Sequence, residues 1–391
     1  MAMVNLIRAS SKNEIVYMSV LFVRGLLLVV LVSVGTGCGR PSESHTKEAW
    51  DPPNDPISMT RNLEPHLVRL PLEGQVINQP WSDIYWPSMS GGLANRWRVS
   101  QDNFSYQAPT REEFLAMTIA QRSALSPAEK YDLFMGRYDY PLLNSERKRT
   151  SPTRPGWEGL CHGWAVASMN FKEPQPVLVR SVEGIEVPFG SSDIKGLLSL
   201  VQGNYNRAQS RVVGARCNIS LNDFPQAETR SECRDLNAGA FHVLLANFVG
   251  IHKKGFVLDI TRDLQVWNQP VTSFESKMLG EVALAPTAAR SAVRSIRMET
   301  TMGYQGESFL ANWEAIGGTP QSVNIIKLYQ YDLELDAQGR IVGGEWIGAD
   351  RPDFLWIQGM PAFTDYFAGL AGIYRDSVDG GEPLSDPAAS Q

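Results

Sequence analysis

The chain has 391 residues, of which 43% are hydrophobic and 20% are charged, and its formal net charge at pH 7 is -6. These proportions are typical of a globular protein and exclude a disordered or fibrous chain. An acidic chain without a stripe of Lys and Arg also lacks the surface that neutralises phosphates, so binding of nucleic acid is excluded.

Four cysteines occur in the sequence, and no two of them are spaced as CxxC: Cys38, Cys161, Cys217 and Cys233. This spacing excludes a zinc ribbon and a thioredoxin-like motif. The sequence also lacks HExxH, GxxxxGK[ST] and GxSxG, the motifs of common metallopeptidases, nucleotide-binding proteins and serine hydrolases.

The amino terminus, residues 1–37, has the layout of a secretory signal peptide. Arg24 precedes an apolar run at 25–34, small residues follow, and Cys38 comes next. This end resembles the lipobox of bacterial lipoproteins, in which the cysteine becomes the lipidated first residue. We therefore expect lipidation at Cys38 and an exported lipoprotein, periplasmic or on the cell surface, attached to a bacterial membrane. An uncleaved membrane anchor is the alternative.

Three further segments follow the signal peptide. Residues 38–69 are polar and rich in Pro, which is typical of a tether that buries little surface. Residues 70–375 contain the periodic apolar patterns of a folded domain. Residues 376–391 have the composition of a frayed tail.

Helices are predicted first along the domain. One is expected at about 111–123, and a second begins after Ser126, where Pro stands at the first helical position and Glu129 completes a capping box. A Gly/Pro turn precedes a helix that begins at about Cys161. Another helix begins at 191–193, where Ser and Asp are suited to cap it.

Strands are predicted in the second half of the chain. The apolar run FHVLLANFVG, a Lys-containing turn and the run FVLDITRDLQVWNQPV together predict an antiparallel pair. Alternating patterns at 296–302 and 325–335, with a turn at DAQGR, predict further strands. The fold class is therefore α+β.

Cys161 is the candidate nucleophile. It follows a Gly turn at the start of a predicted helix, where free backbone N–H groups favour the thiolate. The alternative is a buried apolar cysteine.

A thiol nucleophile requires a base, which is usually a histidine oriented by Asp or Asn. His242 stands alone in an apolar run, and Asp259 is likewise the isolated charge of the neighbouring predicted strand. A buried imidazole without a partner costs free energy, so pairing with Asp259 would account for both polar residues. Asp263 is the alternative acid, and His162, next to the nucleophile, is the alternative base.

Cys217 and Cys233 flank a polar segment that leads into the His242 run. In an oxidising compartment they most simply form a disulfide that restrains this loop. A metal site is not expected here, because no His accompanies them at ligand spacing.

Three segments resemble a known family. VWNQPV at 266–271, WEGLCHGW at 157–164 and FHVLLAN at 241–247 make the chain similar to the transglutaminase elicitor family. This family comprises the oomycete cell-wall transglutaminases, a peptide of which is perceived by plants, and their bacterial relatives. The likeness covers about residues 70–370. The match to the peptide perceived by plants ends after VWNQPV, so recognition by plants is not implied.

The resemblance implies a papain-like or transglutaminase-like arrangement, with the nucleophile at a helix N-terminus and His and Asp on adjacent antiparallel strands. It carries the triad over to Cys161, His242 and Asp259. The implied reaction is acyl transfer from a glutamine carboxamide to a lysine amine, so the expected partners are proteins bearing Gln and Lys. No cofactor is required by this chemistry; some transglutaminases depend on calcium, which stays the open alternative, but no segment here is a recognisable calcium loop.

Two details of the site and two rival functions accompany this hypothesis. The backbone N–H of Cys161 and a donor from Trp157 are expected to bind the oxyanion, and Trp157 and Trp164 are expected to line the acyl tunnel.

The rival functions are a papain-like cysteine peptidase or amidase and a non-catalytic binding lipoprotein.

Overall fold

The computed structural model describes residues 50–230, 233, 235–262, 264–380 and 383–388. The predicted signal peptide, the lipidation site at Cys38 and the alternative acid Asp263 lie outside the described residues.

The described residues contain eight α-helices. They are α1 (Arg111–Ala116), α2 (Ile119–Ser123), α3 (Pro127–Phe134), α4 (Pro141–Arg149), α5 (Cys161–Asn170), α6 (Ser191–Leu200), α7 (Ala238–Leu245) and α8 (Leu370–Asp379).

Ten strands accompany these helices in the same part of the chain. They are β1 (Glu73–Gln75), β2 (Val177–Arg180), β3 (Glu186–Phe189), β4 (Arg211–Gly214), β5 (Val257–Asp259), β6 (Asn268–Val282), β7 (Arg294–Gly306), β8 (Val323–Leu335), β9 (Ile341–Trp346) and β10 (Phe354–Ile357).

The main sheet has the strand order β4-β10-β5-β6-β7-β8-β9, and β1 pairs with residues 273–275 of β6. Strands β2 and β3 form a separate two-stranded sheet. Every strand pair is antiparallel. The expected α+β class and the predicted strands at β7, β8 and β9 are confirmed.

Helices cover the two faces of this sheet. Val257 packs in one core with Trp164 of α5, whereas Leu258 packs in a second core with Phe241 of α7. Because successive residues of a strand point to opposite faces, α5 and α7 lie on opposite sides of the sheet. This placement decides which side chains meet at the candidate site.

The predicted helix starts are largely confirmed. α3 begins with the capping box of Ser126 and Glu129, and α5 begins at Cys161. The single helix expected at 111–123 is instead two short helices, because Thr118 forms a capping box of its own with Gln121.

The predicted strand at FHVLLANFVG is wrong: this segment forms α7, which continues as a π-helical segment, Ala246–Ile251. Asn237 caps the helix by accepting hydrogen bonds from the N–H groups of Gly239 and Ala240. The segment is buried on all sides, and a run that is apolar all round has no periodicity that separates strand from helix. β5 therefore pairs with β6 and β10.

The described part of the expected tether, residues 50–69, packs against the domain. Met59 and Leu67 are buried, and the side chain of Asn54 accepts a hydrogen bond from the N–H of Asn237. The reason is that apolar side chains interrupt the polar composition of this segment. At the other end, α8 extends into the predicted tail, and Leu384 donates its N–H to the carbonyl of Pro176.

Candidate active site

Cys161 is the first residue of α5 and lies at the floor of a cleft of about 450 Å³. The first turn of α5 leaves its initial N–H groups unpaired within the helix, which places partial positive charge beside the thiol. Six side chains that line the cleft with it are Trp157, His162, Arg216, Val266, Asn268 and Trp356.

The VWNQPV motif forms the wall next to the thiol. The side-chain amide Nδ2 of Asn268 donates to Sγ of Cys161 at 3.9 Å, and Sγ lies 3.7 Å from the carbonyl oxygen of Val266. The indole Nε1 of Trp356 donates to Oδ1 of Asn268 at 2.8 Å. Because that bond holds Oδ1 against Trp356, the other end of the amide, Nδ2, points at the sulfur.

The surroundings of Cys161 favour the protonated form of its thiol. Burial raises its pKa to about 11, and hydrogen bonds from Asn268 oppose the rise. The negative charges of Glu307 and Asp259 raise this pKa further. Burial and two nearby carboxylates therefore oppose the thiolate, which the partial positive charge of the helix start favours.

Asp259 lies at the end of β5, directly opposite Asn268 of β6. Its Oδ1 accepts hydrogen bonds from the N–H of Trp267 at 3.0 Å and from the hydroxyl of Thr261 at 2.8 Å. Its Oδ2 is buried and has no hydrogen-bond partner among the described residues. Burial raises the pKa of Asp259 to about 6. This carboxyl therefore has a free lone pair and a proton affinity suited to acid–base chemistry near neutral pH.

The structure does not bring His242 to this site. Asp259 points to the same face of the sheet as Val257, which packs with α5, whereas His242 lies on α7, on the opposite face. Nδ1 of His242 pairs with the hydroxyl of Tyr331 at 2.7 Å, and Nε2 has no partner among the described residues. Burial lowers the pKa of His242 to about 4. The imidazole is therefore a neutral core group.

His162, the alternative base, lines the same cleft as Cys161. Its Nε2 pairs with Oδ1 of Asn204 at 3.2 Å, and burial lowers its pKa. Consecutive residues at a helix start point in different directions, which explains why its ring faces Asn204 rather than the sulfur.

A second carboxylate lies near the thiol. Oε2 of Glu307 accepts a hydrogen bond from Nε2 of Gln269 at 2.8 Å, and Gln269 follows Asn268 in the VWNQPV motif. No sequence motif selects Glu307, because it stands in an ordinary stretch after β7.

The predicted disulfide between Cys217 and Cys233 is confirmed. Hydrogen bonds through Asp353 connect Cys217 to β5, the strand that carries Asp259. The N–H of Cys217 donates to Asp353 Oδ2 at 2.9 Å, and the N–H of Asp353 donates to the carbonyl of Asp259 at 3.3 Å. Burial raises the pKa of Asp353. The disulfide therefore stabilises the backbone behind the site.

The two tryptophans expected to line an acyl tunnel differ in position. Trp157 lines the cleft. Trp164 is completely buried in the core beside α6, and its indole nitrogen has no partner among the described residues. Trp356, which the sequence did not single out, is the aromatic side chain that contacts Asn268.

The described residues contain neither a cluster of metal-binding side chains nor a helix that could span a membrane. No group of three or more His, Cys, Asp or Glu side chains in this part of the chain is arranged to hold a metal ion. No helix within it has both the length and the apolar composition that crossing a membrane requires.

Comparison with known proteins assigns the family. The family described as transglutaminase elicitor matches residues 145–370, which is more than half of the chain and includes both Cys161 and the VWNQPV motif. The chain belongs to the transglutaminase elicitor family. No curated protein sequence matches it.

A solved structure of similar fold is the crystal structure of the GP42 transglutaminase from Phytophthora sojae. The two chains superpose with a TM-score of 0.59 at 22% sequence identity, over 81% of this chain and 94% of the other. This transglutaminase elicitor and the GP42 enzyme therefore share a fold.

Proposed function

We propose that this protein is a transglutaminase that transfers the acyl group of a protein glutamine to a primary amine through a thioester on Cys161. The observation that carries the proposal is the contact of Asn268 and Val266 with the sulfur of Cys161. It joins the cysteine motif and the VWNQPV motif, distant in sequence, around one thiol at the floor of a cleft.

Asp259 is the base in this proposal. A protonated thiol is a poor nucleophile, and Asp259 is a carboxyl with an unpartnered oxygen on the side of the sheet that faces α5. It accepts the thiol proton as sulfur attacks the carboxamide carbon, and then returns that proton to the departing nitrogen, which leaves as ammonia. His242 is not part of this mechanism, because it lies on the other face of the sheet.

The oxyanion of the tetrahedral intermediate requires preorganised donors. The backbone N–H of Cys161 at the start of α5 is one. Nδ2 of Asn268 is the second, since Trp356 holds it toward the sulfur. This assignment replaces the donor from Trp157 that the sequence suggested.

We also propose that the protein acts outside the cytoplasm, anchored through a lipid on Cys38. The signal-like layout of residues 1–37 supports this, and so does the disulfide, which forms and persists in oxidising compartments.

The test is incorporation of a fluorescent primary amine into a glutamine-rich protein, together with assay of released ammonia. Wild type is expected to incorporate the amine and release ammonia, and Cys161→Ser is expected to do neither while unfolding at the same temperature. Cleavage of peptide bonds without incorporation would make the protein a cysteine peptidase. The absence of both reactions in wild type would make it a non-catalytic binding protein.

A further inference from the structure

Glu307 is a second carboxylate beside the nucleophile, and the thiol chemistry described above does not use it. It follows β7, and the adjacent N–H of Ser308 donates to the carbonyl of Asp83 at 3.0 Å. This bond brings Glu307 next to the segment that carries Tyr85, whose ring meets that of Trp267 edge-on at 5.8 Å. Both Glu307 and Asp259 act electrostatically on Cys161.

Two oxygens at this place are buried without a donor. Oε1 of Glu307 and Oε1 of Gln269 have no hydrogen-bond partner among the described residues, although the two side chains are joined through Nε2 and Oε2. Buried acceptors without donors cost free energy, so such a pair indicates a missing donor. An ammonium group carries three donors and no acceptor, and its charge complements the carboxylate.

We propose that Glu307 and Gln269 bind the ammonium of the amine acceptor and that Glu307 removes its first proton. This inference rests on the proposed transglutaminase function. It assigns a binding site for the second substrate, a lysine side chain or another primary alkylamine.

The step balances in atoms and charge. The ammonium gives one proton to Glu307 and becomes a neutral amine, whose nitrogen attacks the thioester carbon. The C–N bond forms, the C–S bond breaks, and sulfur receives the second proton, leaving the third on the new amide. Burial raises the pKa of Glu307, which suits a group that must accept a proton.

Tyr85 and Trp267 are suited to guide the acceptor chain. Both are half-buried, Glu307 and Cys161 act electrostatically on Tyr85, and Trp267 lies between Val266 and Asn268 in the sequence. Aromatic faces attract ammonium groups and pack against methylenes. Water, which resolves the thioester in a hydrolase, needs no such cation site.

The test compares two amines on Glu307→Gln. Cadaverine is charged at neutral pH, whereas hydroxylamine is largely neutral. With a glutamine peptide as donor, the variant is expected to raise the KM for cadaverine by about tenfold or more, the effect of losing a charged hydrogen bond. The KM for hydroxylamine is expected to change by less than about threefold, and the release of ammonia without any amine is expected not to fall, since loss of the Glu307 charge lowers the pKa of the Cys161 thiol.

Matched variants support the comparison. Glu275→Gln, an exposed glutamate on β6, is expected to leave every rate unchanged. Gln269→Leu keeps the carboxylate but removes the second acceptor, and is expected to raise the KM for cadaverine selectively as well. It provides the same readout if Glu307→Gln does not fold, as judged by thermal unfolding.

Two results would overturn the inference while leaving the proposed function intact. One is an unchanged KM for cadaverine in Glu307→Gln. The other is an equal fall in cadaverine transfer, hydroxylamine transfer and ammonia release, which would place Glu307 in the first half-reaction. Wild type that releases no ammonia under any condition would overturn the proposed function, and this inference with it.

Discussion

Asp259 and Asn268 are directly paired residues of neighbouring antiparallel strands. Their side chains therefore share the face of the sheet that α5 covers, and there both act on Cys161. Asn268 donates to the sulfur, and Asp259 adds negative charge beside it. One strand pair thus supplies opposing influences on the pKa of the same thiol.

Asn268→Ala is expected to lower the rate of amine incorporation by about 100-fold or more, because it removes a proposed oxyanion donor. The same change removes the side-chain hydrogen bond that lowers the pKa of Cys161 and keeps the backbone one, so alkylation by iodoacetamide at pH 8 should become moderately slower. Trp356→Phe, which only frees the amide to rotate, should have a smaller effect. Equal rates in Asn268→Ala and wild type would remove Asn268 from the mechanism.

Asp259→Asn is expected to separate thiol reactivity from catalysis. Removing the negative charge lowers the pKa of Cys161, so alkylation at pH 8.5 should be faster than in wild type. Amine incorporation should fall by about 100-fold, the usual contribution of a general base. Asp376→Asn, an exposed carboxyl on α8, serves as the control. Faster alkylation together with undiminished turnover would show that Asp259 is not the base.

Asp259 is also expected to make stability fall as pH rises. Its pKa is raised from 3.8 to about 6 in the folded state, so the folded protein binds this proton more tightly than the unfolded chain. The stabilisation is present below pH 3.8 and is lost as pH rises through 6, at a cost of about 3 kcal/mol. Urea unfolding should find Asp259→Asn more stable than wild type at pH 7 and equal to it at pH 3.5. A difference independent of pH would contradict this.

His242→Gln is expected to retain amine incorporation to within about threefold, because His242 lies on the far side of the sheet from the thiol. A folded variant with a 100-fold lower rate would restore His242 to the mechanism.

The same variant should alter behaviour in acid. The pKa of His242 is lowered from 6.5 to about 4, so its contribution to stability is complete above pH 6.5 and is lost as pH falls through 4. The free energy of unfolding of wild type should therefore fall by about 3 kcal/mol over this pH range, whereas that of the variant should not show this fall. Acid unfolding curves of the two proteins measure the difference.

Cys217→Ser combined with Cys233→Ser is expected to lower the free energy of unfolding by about 3 kcal/mol, the value for a closed loop of this length. Activity should fall as well, because Cys217 holds Asp353, whose N–H holds the backbone of Asp259. Dithiothreitol should reproduce both effects in wild type and neither in the double variant. Unchanged activity after reduction would mean that Asp259 is positioned without the loop.

Much of the local structure was predictable because its cause is local. The capping box at Ser126, the helix that begins at Cys161 and the hairpin between β8 and β9 depend on residues a few positions apart. The helical structure of α7 was not predictable, because burial on every side removes the pattern of polar and apolar residues that distinguishes a helix from a strand.

The sequence by itself determined the family and the disulfide and selected Cys161 as the candidate nucleophile, since each depends on short motifs or on the number and spacing of cysteines. Only the tertiary structure decided which groups surround the thiol. It places α7 and His242 on one face of the sheet and brings Asn268, Asp259 and Glu307 to the thiol on α5. The physical reason is that the face a strand residue points to depends on pairing register, and a register is set by contacts between segments far apart in the chain.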